Sequence, residues 1–167
     1  GQPDGSVPAI AGQHFPVVVK QLLDFRRGKR WDIRMEQFAD RHRLADAQAI
    51  ANVAAYASSM PRTPAAPDDK ESLSAAGGVI YARQCAACHG MGGEGSVVLV
   101  IPWMNGQQSA YLLRQFYDAV DSRRPSLKAD HARLLEGLDR DQLQGLASYI
   151  NRLAVAGPPG ISAPRAP

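Results

Sequence analysis

Apolar positions recur at three- and four-residue spacing in five stretches of the chain, separated by polar segments rich in glycine and proline. The first runs from Gln13 to about Phe25, where His14-Phe15-Pro16-Val17-Val18-Val19-Lys20-Gln21-Leu22-Leu23-Asp24-Phe25 puts its apolar residues on one helical stripe. Pro16 suits the first turn, where an absent N–H costs nothing, and Gly28 follows as the stop. A loop through Met35 is expected next. A second helix is predicted from about Ala45 to Ser58, with Ile50, Val53, Ala54 and Tyr56 at helical spacing. A third, from about Ser72 to Gln84, carries Leu73, Val79 and Tyr81. Gly77 and Gly78 weaken it intrinsically, but allow another helix to approach closely. A fourth, from about Ser109 to Val120, carries Tyr111, Leu112, Leu113, Phe116 and Tyr117 and closes at Arg123-Arg124-Pro125. The last, from about Arg140 to Ala154, shows Leu143, Leu146, Ile150 and Leu153 on one face with Asp139 as N-cap. Only Val97 to Ile101 competes as a strand, and it is short. The pattern predicts an all-α protein.

The gaps between these stretches divide the chain. Residues 61–71 hold three prolines and no core-forming run, which reads as a stiff linker between a unit at 1–60 and a unit at 72–156. Residues 1–11 read as loop, and 157–167 as a flexible tail. Hydrophobic residues at 45% and charged residues at 21% suit a soluble globular chain. No run approaches the roughly 18 apolar residues of a membrane helix. The start shows neither a basic segment nor an apolar signal core, so any export signal is expected to have been removed. The net charge of +3 is too mild and too scattered for nucleic acid. The basic runs Arg26-Arg27-Gly28-Lys29-Arg30 and Arg123-Arg124 read as solvated faces, with docking or contact to a haem propionate as the alternative. No Ser/His/Asp set or carboxylate pair supports hydrolytic chemistry.

The candidate chemistry lies in Cys85-Ala86-Ala87-Cys88-His89, followed by Gly90, which contains the only two cysteines of the 167 residues. A C-x-x-C-H string is the covalent attachment site of a c-type haem. Two thiols three positions apart can add to the two vinyl groups on one edge of the porphyrin, and the adjacent imidazole then reaches the iron from below. The competing readings are a redox disulfide, half of a zinc site and a free thiol pair. A redox pair does not need the histidine and normally sits in a βαβ context that is missing from this pattern. A zinc site would want a second pair of soft ligands. Haem attachment implies one covalent haem c and an exported chain, so a periplasmic location is expected.

The two halves also resemble each other. Pro8-Ala9-Ile10-Ala11-Gly12-Gln13 matches Pro102-Trp103-Met104-Asn105-Gly106-Gln107. Each is followed by a helix with a basic stop, and each half closes near an aromatic, Ala54-Ala55-Tyr56 against Ala147-Ser148-Tyr149. Together with the C-x-x-C-H-G string, these features resemble the two-domain class I cytochromes c of the cytochrome c4 kind. They are similar as well to the cytochrome subunit of flavocytochrome c sulfide dehydrogenases, toward which Arg123-Arg124-Pro125 leans. The resemblance implies two tandem cytochrome c-like helical domains and electron transfer. The first half, however, has no attachment motif. Gly1-Gln2-Pro3-Asp4-Gly5 resembles the stretch that follows such a motif, so either the first haem has been lost or the given chain starts just past it. Met35 falls where the family places an axial methionine, with an ordinary loop methionine as the alternative.

The family's sixth ligand is a methionine in the loop after the Gly-Gln helix, and no methionine follows Met104. His131 lies in that loop, in Leu127-Lys128-Ala129-Asp130-His131-Ala132, and is the expected ligand; Met104 and an open site are the alternatives. Two imidazoles imply a lower potential than a His/Met pair. The resemblance also implies that the Pro102 carbonyl accepts a hydrogen bond from the proximal His89, which raises its basicity. Trp103, Tyr111, Leu112 and Phe116 are expected as haem-pocket walls, or as ordinary helix-packing core. His14 and His42 are expected at the surface or on a propionate. Two function classes follow: an electron-transfer module, as a subunit beside a redox partner such as a flavoprotein or as a free carrier, and a haem sensor or catalyst with an open site. A third reading makes the first half a binding module without a redox role.

Overall fold

The computed structural model describes residues 1–127 and 129–155. The tail expected at 157–167 lies outside them. Eight helices occur among the described residues: α1 (Phe15–Arg26), α2 (Ile33–Phe38), α3 (Ala47–Ser59), α4 (Glu71–Gln84), α5 (Ala86–His89), α6 (Ser109–Val120), α7 (Ala129–Glu136) and α8 (Arg140–Arg152). The fold is all-α.

Six of these helices were legible from periodicity or motif, and two were not. The loop expected through Met35 contains α2, which starts where the Asp32 carboxylate accepts the backbone N–H groups of Arg34 and Met35. The loop expected around His131 contains α7. Both are short, so a 3.6-residue period has almost no room to show. The Val97–Ile101 run is a tight turn rather than a strand, closed by backbone hydrogen bonds between Ser96 and Ile101 of 2.9 and 2.8 Å.

The apolar stripes build two clusters. In the first half, Val18, Leu22 and Phe25 of α1 pack on Ile50, Ala54 and Ala57 of α3, with Ala39 between them. Val53 and Tyr56, read from spacing as part of the α3 stripe, face solvent. In the second half, Tyr81, Leu112, Ala119, Leu135, Leu143, Leu146, Ala147 and Ile150 form the core. Val79 is exposed as well, because α4 buries its glycine face in place of its aliphatic one. A side chain on Gly77 would fall inside the Gly145 carbonyl group of α8. The two backbones meet there, which gives the glycines expected to weaken α4 their structural reason. Asp139 starts α8 as expected, and its carboxylate and the Gln142 amide bond each other's backbone in a capping box.

The proline-rich segment is strapped down. Ala65 N–H donates to the Gly106 carbonyl at 2.7 Å, and Asp68 accepts from the Ser148 hydroxyl at 2.7 Å and pairs with Arg152 at 3.3 Å. Its prolines keep the strap extended while its polar groups bind α8.

Candidate haem site

Helix α5 is a single turn holding the attachment motif, entered directly from α4 through Cys85 and left through Gly90 at φ 78°. Its surroundings are braced by backbone: the Tyr81 hydroxyl donates to the Gly90 carbonyl at 2.6 Å, and Gly95 N–H donates to the His89 carbonyl at 2.9 Å. Met104 N–H donates to the Gly93 carbonyl at 2.8 Å, which draws the 102–105 segment against the loop that follows the motif. Burial, reinforced by Cys88, pushes the Cys85 thiol up to about 11. A redox-active pair needs a thiolate of lowered pKa, so this environment argues against the disulfide reading.

His89 and His131 face each other. Their ring centres are 6.2 Å apart and their planes stand at 83°. An ion held between two imidazole nitrogens by bonds of about 2.0 Å sets the ring centres roughly 6 Å apart, which is the separation of these two rings. Burial, and then the neighbouring His131, hold His89 down to about 4. At neutral pH its ring is therefore uncharged and keeps a lone pair for a metal. The Pro102 carbonyl opposes that shift by acting on the same ring as an acceptor. His89 Nδ1 is buried without a hydrogen-bond partner of its own. The donor set and the spacing fit a haem iron.

The cytochrome c family model matches residues 74–154. The chain is 29% identical over 161 residues to cytochrome c4 of Thiocapsa roseopersicina, covering 88% of this chain and 79% of that one. Its structure is similar to that of reduced recombinant cytochrome c4 from Pseudomonas stutzeri, with a TM-score of 0.79 at 25% identity over 92% of this chain and 87% of the other. Residues 74–154 are a cytochrome c domain, and the chain as a whole is similar to the two-domain cytochromes c4. The thiosulfate dehydrogenase (TsdBA) from Marichromatium purpuratum, in its as-isolated form, is similar too, with a TM-score of 0.74 at 30% identity over 90% of this cytochrome. The cytochrome spans 34% of that longer chain.

The remaining residues singled out by sequence divide between the pocket and the seam between the two halves. Leu112 and Phe116 lie in and against the second-half core, and Met104 packs on it from the Pro102 loop. Trp103 stands at the seam. Its indole N–H donates to His14 Nδ1 at 2.9 Å, and the Arg62 guanidinium lies 4.5 Å from its ring centre. Tyr111 turns its hydroxyl to Arg30 of the first half at 2.6 Å. His42 is exposed as expected, and His14, half-buried at the surface, is also tied down, its Nε2 lying 2.9 Å from the Glu94 carbonyl.

Arg30 and Arg124, read as parts of solvated runs, also turn inward. Gln21 Oε1 accepts from Arg30 at 2.6 Å and from Arg124 at 2.8 Å, and Gln115 Oε1 accepts from both at 2.9 Å. The ring is pseudo-symmetric, since Gln21 and Gln115, like Arg30 and Arg124, are 94 positions apart. Arg124 keeps an exposed edge but is densely surrounded; burial, and then the like charge of Arg30, bring it down to about 10. The internal repeat could have revealed this ring, because counting 94 on from Gln21 and Arg30 lands on the same residue types.

Proposed function

We propose that this cytochrome passes single electrons through one haem c attached to Cys85 and Cys88, with His89 and His131 as axial ligands. The observation that carries the reading is the pair of facing imidazoles, 6.2 Å apart, one from the attachment motif and the other from α7. Haem c supplies a one-electron iron couple when bound. The chain's residues do the rest. Burial keeps the His89 ring neutral, the Pro102 carbonyl orients it, and Leu112 and Phe116 wall the pocket, while Trp103 and Tyr111 tie its rim to the first half. With His89 and His131 both holding the iron, no site would be left for a substrate, which favours electron transfer over sensing or catalysis.

Its place is beside a redox partner in the periplasm. The similar thiosulfate dehydrogenase chain, of which this cytochrome spans 34%, supports a role as the electron-carrying part of a larger redox enzyme. A flavoprotein of the sulfide dehydrogenase kind is the specific partner that we propose. The cytochrome c4 relatives support the second reading, a free carrier. No helix among the described residues is long and apolar enough to cross a membrane. In this account residues 1–60 and 72–156 are the two domains and 61–71 joins them.

The test is to mix the reduced, haem-loaded protein, after acid-acetone extraction of a parallel sample, with a flavoprotein sulfide dehydrogenase subunit in stopped flow. Colour that stays with the precipitated protein and rapid electron exchange support the reading. Extractable haem would contradict covalent attachment, and exchange no faster than with an unrelated flavoprotein would contradict the proposed partner.

A further inference from the structure

The proline carbonyl that acts on the proximal His89 belongs to a segment that the second half does not hold alone. Trp103, the next residue, is gripped at four points by the first half and the strap. Its backbone N–H donates to Gln13 Oε1 and its carbonyl accepts from Gln13 Nε2, both at 3.0 Å. Its indole N–H donates to His14 Nδ1, and its ring lies 5.1 Å from the His14 ring and 4.5 Å from the Arg62 guanidinium. An indole N–H can only donate, so His14 Nδ1 must accept, and the neutral ring then donates from Nε2 to the Glu94 carbonyl. Glu94 adjoins Gly95, whose N–H holds the His89 carbonyl. Gln13 and His14 thus hold the Trp103 segment, and His14 also holds the segment at Glu94 that bonds the His89 carbonyl.

We propose that Gln13 and His14 are positioning residues for the haem of the second half, setting its potential by fixing the Pro102 carbonyl against His89. This rests on the reading that His89 ligates the iron. A carbonyl held close to the far nitrogen makes the imidazole a stronger donor, which favours ferric iron and lowers the potential; a carbonyl that drifts away raises it. The first half therefore acts on this haem through two side chains that never touch it.

The structure supplies its own control. Gln107, the repeat mate of Gln13, makes the mirror-image grip: its Oε1 accepts from Ala9 N–H and its Nε2 donates to the Ala9 carbonyl, both at 2.9 Å. Gln13→Met and Gln107→Met each delete two hydrogen bonds of the same seam, but only the first frees Trp103. The experiment measures the midpoint potential of the haem-loaded full chain by spectroelectrochemistry, with the optical spectrum and far-UV circular dichroism as checks on ligation and folding. Gln13→Met and His14→Phe are expected to raise the potential while the low-spin spectrum persists. His14→Gln, whose amide can both accept and donate, is expected to restore part of the shift, and Gln107→Met to leave it near the native value.

Equal shifts in Gln13→Met and Gln107→Met would overturn the proposal, since both would then report a loosened seam. Unmoved potentials in Gln13→Met and His14→Phe would overturn it too. If Gln13→Met fails to load haem, the His14→Phe and His14→Gln pair decides on the same readout. A native protein without a low-spin haem spectrum would instead defeat the ligation reading, which keeps the two failures distinct.

Discussion

At the residue scale, the proposed ligand His131 is what would separate a closed iron from an open one. It comes from an eight-residue helix that also sends Leu135 into the second-half core, so its ring is delivered by a packed element. Replacing it with alanine removes one axial donor while leaving Leu135 in place. We expect His131→Ala to turn the ferric spectrum high-spin and the ferrous protein from refusing carbon monoxide to binding it stoichiometrically. His131→Met, if its sulfur reaches the iron, should raise the potential by on the order of a tenth of a volt, within the roughly 0.8 V that axial ligands span. Cys85, Cys88 and His89 stand out in the sequence because their spacing is local and a single helical turn preserves it. His131 was singled out by the absence of a methionine after Met104, and its ring lies 6.2 Å from that of His89. His14 and Gln13 were not legible, because their partners, Glu94 and Trp103, lie some 80 to 90 positions away, and nothing local marks a side chain whose partner comes from the other half.

At the element scale, the close pairing is α4 with α8, which carries the attachment motif into place. Their backbones touch at Gly77 and Gly145, with the Leu73 carbonyl also against Gly145. A methyl group at Gly77 has only the Gly145 carbonyl group to enter, and neither helix backbone can yield as a flexible side chain would. Gly77→Ala should therefore destabilise the protein by about 2–3 kcal/mol, although alanine is the better helix former by roughly 1 kcal/mol. Chemical denaturation followed by circular dichroism checks the sign, and a gain in stability would refute the close crossing. Val79 shows why the sequence misled here: its spacing fits an apolar stripe, but the face that packs is chosen by how near two backbones can come. The short helices α2 and α7 escaped for a different reason, as each is ordered by a cap or by tertiary contact and not by its own period.

At the scale of the whole molecule, the seam joins the halves with polar side chains arranged about a repeat. Arg30 and Arg124 carry like charges and share two neutral acceptors, Gln21 and Gln115. Asp118 is held by Arg123 and by the Gln115 amide. Gln115→Leu strips one acceptor from both guanidiniums at once, leaving Gln21 as the acceptor they share, and losing hydrogen bonds to charged groups costs about 2 kcal/mol. That loss should appear as a lowered denaturation midpoint followed by the circular dichroism of both halves, with the haem spectrum unchanged in native conditions. The two-domain plan was legible in the repeated Pro-x-x-x-Gly-Gln string, while the contacts between the domains were not, since each string gives a site and not its partner. All of these statements converge on an iron held from both sides by imidazole. Electron paramagnetic resonance of the frozen ferric protein tests that claim most directly, with carbon monoxide added to the ferrous form as its companion. The account predicts a low-spin signal of two nearly perpendicular imidazoles, no sulfur-to-iron charge-transfer band and no carbon monoxide adduct; a high-spin signal, that band or rapid adduct formation would contradict it.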